Sequence, residues 1–169
     1  MEKTKLKIFF AYSRKDNDLR SRLETHLYLL KRQEYIESWY DGEILPGQNW
    51  NEKIKHALGT ANIILLLISV DFIASDYCYD IEMKAAFERH KQDEAIVIPI
   101  ILTDCDWLET PIAELQALPK NGIPINDEYW KDKEKALRLV AKEIRKIVEI
   151  SLESEDKKKK LTSNFLSKN

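Results

Sequence analysis

The sequence predicts an α/β protein, a three-layer sandwich with helices on both faces of a parallel β-sheet. Three observations carry this reading. Strand-like apolar runs alternate with segments of helical periodicity along most of the chain. Two of those runs, Ile63–Ile68 and Ala95–Leu102, have no polar residue inside them, as strands covered on both faces require. The 169 residues, 44% hydrophobic and 33% charged, suffice for one domain with a real core and are short for two.

The first run, Leu6 to Tyr12, is apolar and aromatic and reads as a buried strand. Ser13-Arg14-Lys15-Asp16 then has the form of a capping box, and Leu19, Leu23, Leu27 and Leu30 give the following helix one apolar face. Tyr35 to Tyr40 reads as a second strand, and Asp41-Gly42-Glu43-Ile44-Leu45-Pro46-Gly47 as a loop punctuated by glycine and proline. Trp50, Ile54, Ala57 and Leu58 mark a helix that Gly59 is placed to end. Ile63–Ile68 is the central strand. A helix over Asp76 to His90 follows, with Tyr79, Met83, Ala86, Phe87 and His90 on its inner face. Ala95–Leu102 is the fourth strand, residues 103–120 are irregular, and Gly122 to Asn126 is expected as a short fifth strand. Ala136, Leu139, Val140, Ile144, Ile147 and Val148 describe a closing amphipathic helix. Right-handed crossovers and five strands fit a flavodoxin-like sheet of order 2-1-3-4-5. Residues 1–150 form the domain. Residues 151–169, with the run Lys157 to Lys160, read as a solvated charged linker leading to a second module, rather than as a nucleic-acid tail.

Composition excludes several classes. A net charge of −2 gives no basic field for nucleic acid. No apolar run approaches the roughly 18–20 residues that span a bilayer, and no signal-peptide core precedes the first strand. Cys78 and Cys105 form neither a CxxC pair nor a disulfide framework, so a cytoplasmic protein with reduced thiols is expected. The four glycines, Gly42, Gly47, Gly59 and Gly122, make neither glycine-rich phosphate cradle. His26, His56 and His90 lack metal-ligand spacing, and Asp104-Cys105-Asp106 reads as a polar turn, so no metal is expected.

In an open α/β sheet the ligand crevice lies beyond the carboxyl ends of the strands, where strand order reverses. Here that point falls between strands one and three, at Tyr12, Ser13 and Arg14 on one side and Ser69 onward on the other. The helix after strand three carries Glu82. On a straight helix it lies roughly 90° from the centre of the apolar stripe, at the edge of the core rather than in it. Position alone fits a solvent-facing glutamate as well as a functional one.

The ordered motifs resemble those of the Toll/interleukin-1 receptor (TIR) domain family. Ile8-Phe9-Phe10-Ala11-Tyr12-Ser13-Arg14-Lys15-Asp16 is similar to its first box. Trp39 to Gly47, with Trp50 after it, resembles its BB loop, and Ser69 to Cys78 resembles the segment entering the catalytic-glutamate helix. The likeness covers about residues 5 to 150. It implies a bacterial defence effector of the NAD-cleaving type, with Glu82 as catalytic carboxylate and NAD as substrate rather than cofactor. It further implies self-association through the BB loop and a fused or associated sensor module. Two departures stand out. Cys78 occupies the place, four residues before the glutamate, where enzymatic members carry tryptophan. Glu82 also follows the Tyr77-Cys78 pair by one residue more than in the commonest pattern.

The chemistry is economical. Most glycoside hydrolases need an acid to protonate the leaving group. Nicotinamide leaves a pyridinium as a neutral molecule, so one fixed carboxylate facing the oxocarbenium suffices, and no second acid is expected beside Glu82. Phe9, Trp50, Tyr77 and Tyr79 are candidates for stacking on the rings of NAD. Arg14 and the backbone amides after strand one are candidates for its phosphates and Asp41 for a ribose, with Tyr12 and Ser13 at the same crevice as further binding candidates. The competing reading is a non-catalytic scaffold that binds other TIR domains. A phosphoacceptor receiver with the same sheet order is excluded, because Ala11-Tyr12-Ser13 and Leu67-Ile68-Ser69 stand where its acids belong.

Overall fold

Alternation along two central strands decides the layering of the computed structural model, which describes residues 3–167. Strand β1 (Leu6–Ala11) turns Ile8 and Phe10 to one face and Phe9 and Ala11 to the other. Strand β3 (Ile63–Ile68) is buried at every position and splits the same way, Leu65 and Leu67 against Leu66 and Ile68. On the first face lie helices α1 (Asn17–His26), α2 (Tyr28–Arg32) and α6 (Lys133–Leu166). On the second lie α3 (Trp50–Thr60), α4 (Val70–Ala74), a π-helix (Tyr77–Met83) and α5 (Lys84–Lys91). Among the described residues no helix is long and apolar enough to cross a membrane.

The sheet is parallel and four-stranded. Strand β2 (Ile36–Trp39) pairs with β1, β1 with β3, and β3 with β4 (Ile96–Ile101), giving the order 2-1-3-4. The expected fifth strand is therefore corrected. Residues 122–126 do run beside β4, with Ile125 and Asn126 donating to the carbonyls of Ile101 and Leu102 at 3.0 and 2.9 Å. No ladder develops. Pro119 and Pro124 have no amide proton to give, and Gly122 at φ +75° turns the chain out of the extended region.

Three further elements depart from expectation. Gly59 lies inside α3, which continues to Thr60 before Ala61 leaves it in an extended conformation. The helix expected over Asp76 to His90 is two segments, π then α. The tail expected as a linker from Ser151 continues α6 without a break to Leu166. What dissolves near Ser151 is the buried face, not the helix. The segment holds no Gly or Pro, its Glu and Lys are good helix formers, and Glu155 and Lys158 pair one turn apart at 3.6 Å.

Candidate functional site

The loops after β1 and β3 meet at the carboxyl end of the sheet. Ser69 caps α4 by accepting from the Phe72 N–H at 3.0 Å, and its hydroxyl donates to Asp16 at 2.5 Å. That bond ties the turn after β1 to the start of α4. Burial raises the Asp16 carboxyl, with the Ser69 bond opposing it. Ser13 accepts from the Lys15 N–H and so caps the short 3₁₀ turn between β1 and α1.

Beside this junction an open cleft of about 400 Å³ is lined by Tyr12, Arg14, Asn17, Tyr40, Asp41 and Gly42. Asp41 is its hub. The Tyr12 hydroxyl donates to Asp41 Oδ1 at 2.6 Å, and Arg14 Nε approaches Oδ2 at 3.5 Å from a largely exposed side chain. Gly42 is required by the close approach of Tyr40, whose ring a β-carbon at position 42 would strike. The Tyr40 ring is fixed in turn by Arg20, whose guanidinium sits 3.6 Å from the ring centroid and bonds Glu24 at 2.6 Å. Arg20 is buried, and sequence reading passed over it. Its signal was the i,i+4 spacing of Arg20 and Glu24 on a helix next to an aromatic-rich strand.

Glu82 lies deeper than expected. It is only 6% exposed, where a straight helix puts it at the edge of the core. The π-helix explains the correction. An i→i+5 segment accommodates one extra residue, which changes the facing of the residues within it by up to about 100°, one residue's worth of rotation. The same bulge absorbs the extra residue between Cys78 and Glu82 while keeping Met83 and Ala86 in the core. Among the described residues no side chain donates a hydrogen bond to the Glu82 carboxyl, and it is pushed up to about 8, first by burial and then by the charge of Asp41.

Around Glu82 the same field acts on its neighbours. Tyr77 is pushed up to about 12 and Cys78 to about 11, in both cases chiefly by burial, with Glu82 and Asp41 adding to it. Cys78 Sγ contacts the Tyr12 carbonyl at 3.4 Å, bringing the π-helix to the end of β1. Trp50 packs on Tyr77 with centroids 4.6 Å apart, and its buried indole N–H has no hydrogen-bond partner. Tyr12, Asp41, Tyr77 and Glu82 are therefore linked by contact or charge, and Trp50 joins them through Tyr77. Phe9 stands apart from the cleft, buried and stacked on Trp39 at 5.4 Å. Tyr79 is half-buried against the same apolar layer, and Arg14 is held only by Asp41. Glu82 itself does not line the open cleft.

The family model described as TIR domain matches residues 8–140. The protein named "Uncharacterized protein y4lF" of Sinorhizobium fredii is 51% identical over 138 residues, 82% of this chain and 42% of that protein. The chain thus spans less than half the length of this curated relative. Among solved structures, the TIR domain of the Toll-related receptor TRR-2 from Hydra magnipapillata superposes with a TM-score of 0.51, over 78% of this chain and 97% of that one, at 18% identity. The TIR domains of the activated Roq1 resistosome superpose more loosely, with a TM-score of 0.47. A sheet of order 2-1-3-4, a loop from Asp41 to Gly47 after β2 and a family match over residues 8–140 agree: this chain belongs to the TIR domain family.

Proposed function

We propose that the chain cleaves the nicotinamide–ribose bond of NAD, with Glu82 as its catalytic carboxylate, and that it does so when assembled. The observation that carries this reading is a carboxyl only 6% exposed, bonded by no side chain among the described residues, on the helical segment that meets the carboxyl end of β1. Such a group resists ionisation until a cation arrives, and the pyridinium ring of NAD is one. Once the cation is bound, the carboxylate faces the ribose. The C–N bond breaks with its electron pair going to the ring nitrogen, nicotinamide leaves neutral, and Glu82 balances the positive charge growing on the sugar. Water then adds to that carbon and gives up a proton, or an internal nucleophile closes a ring, yielding linear or cyclic ADP-ribose. Trp50 and Tyr77 supply a stacking wall, and the unsatisfied Trp50 N–H a donor for a ligand oxygen.

Glu82 is only 6% exposed in the single chain and does not line the open cleft, so NAD binding is expected to widen the site beside Asp41. Leu45 in the Asp41–Gly47 loop is 64% exposed, an apolar tip suited to a subunit contact. The same feature favours the second reading, a scaffold acting through TIR–TIR contacts without catalysis. Chromatographic assay of nicotinamide released from NAD by the artificially clustered chain separates the two. Turnover supports the enzyme, and none, with assembly demonstrated, supports the scaffold.

A further inference from the structure

The last part of α6 stands without support. Among the described residues, Lys159 with Thr4 is the final side-chain hydrogen bond between this helix and the domain, and residues 160–166 are all exposed. A helical segment with no packing partner frays in water, particularly one that follows four consecutive lysines. Yet it carries large apolar side chains, with Leu161, Phe165 and Leu166 each at least 70% exposed. Leu161 lies eleven residues after Ile150, itself 68% exposed, which returns it to within roughly 20° of the same line on the helix. One stripe therefore joins the free end to the base of the domain.

At that base, away from the NAD cleft, a groove of about 400 Å³ opens between α6 and the start of β4. Its wall includes the apolar Ile150 and Ile96 and the acids Asp93, Glu94 and Glu155. The groove is thus apolar with an acidic rim, and the free end is apolar with a basic run, Lys157 to Lys160. A chain cannot fold its own straight helix back onto this groove, but a second copy fits it. We propose that two copies of this chain pair through the C-terminal half of α6, antiparallel, each laying its free end across the other's groove. In that register Leu161 lies over Ile150 of the second copy and Phe165 over Ile147. The contact is two-fold symmetric and closes on itself. It leaves the Asp41–Gly47 loop free, so dimers joined through α6 can be joined again through that loop.

Sedimentation equilibrium of the 169-residue chain tests this. The parent should show a reversible monomer–dimer equilibrium, and Leu161→Asp/Phe165→Asp should shift it at least tenfold toward monomer while the thermal transition of the domain is kept. Ile150→Glu alone and Leu161→Lys alone should each be monomeric, since each sets a charge against an apolar side chain across the contact. Mixed one to one, they should recover the dimer, because each then meets its opposite. A parent that is monomeric at every concentration overturns the proposal, as does a dimer indifferent to these changes or a mixture that stays monomeric. A monomer that instead binds vesicles of anionic lipid through Leu161 and Phe165 overturns it in favour of a membrane surface.

Discussion

At the scale of single residues, Glu82 carries a stability signature that does not depend on catalysis. Its carboxyl titrates near the ordinary 4.5 when unfolded and near 8 when folded. Below both values each state holds the proton. Between them the folded chain keeps it while the unfolded chain releases it, so stability falls as pH rises through this window, by at most about 1.4 kcal/mol per pH unit. Glu82→Gln removes the titration and keeps the shape. It should flatten the urea-derived stability between pH 5 and 8 and, at pH 8, be more stable than the parent by roughly 2–4 kcal/mol. A parallel pH dependence in the two proteins would show that Glu82 is not buried as described.

At the scale of elements, the π-helix should behave as a removable insertion. Deleting Asp80, an exposed residue paired only with Lys84 at 3.2 Å, should let residues 77–83 relax toward a regular α-helix at a cost of about 1 kcal/mol or less. Deleting Glu88 from α5 has no bulge to absorb it and should cost several kcal/mol, measured by urea denaturation, because Phe87 and the residues after it lose phase with β4. Much of this element order was legible in the sequence. Leu6–Tyr12, Ile63–Ile68 and Ala95–Leu102 announce β1, β3 and β4, because apolar runs of this kind leave few other structures open. The π-helix was not legible as such. Its only trace was one residue too many between Cys78 and Glu82, and periodicity was read on a straight helix. The fifth strand was overcalled because Ile123 and Ile125 alternate while Pro124 and Gly122 deny the ladder. Within the site, Tyr12, Asp41 and Tyr77 were named from motifs, whereas Arg20 was hidden. A buried guanidinium needs the third dimension to show what it stacks on.

At the scale of the whole molecule, the α/β body belongs to the TIR domain family, and the proposed activity is tied to assembly. If the Asp41–Gly47 loop forms the productive contact, Leu45→Asp should leave the urea midpoint within about 0.5 kcal/mol of the parent, since the side chain is exposed. The same change should abolish the steep rise of activity with concentration. Full specific activity from a demonstrated monomer would contradict the assembly requirement.

The most direct measurement compares nicotinamide release by three clustered proteins: the parent, Glu82→Gln and Glu88→Gln. The parent and Glu88→Gln, altered at an exposed position one and a half turns along the helical run, should turn over alike. Glu82→Gln should be slower by at least about 10²–10³, the usual cost of losing one preorganised electrostatic group. An active parent matched by an equally active Glu82→Gln contradicts the assignment of Glu82 as the catalytic carboxylate.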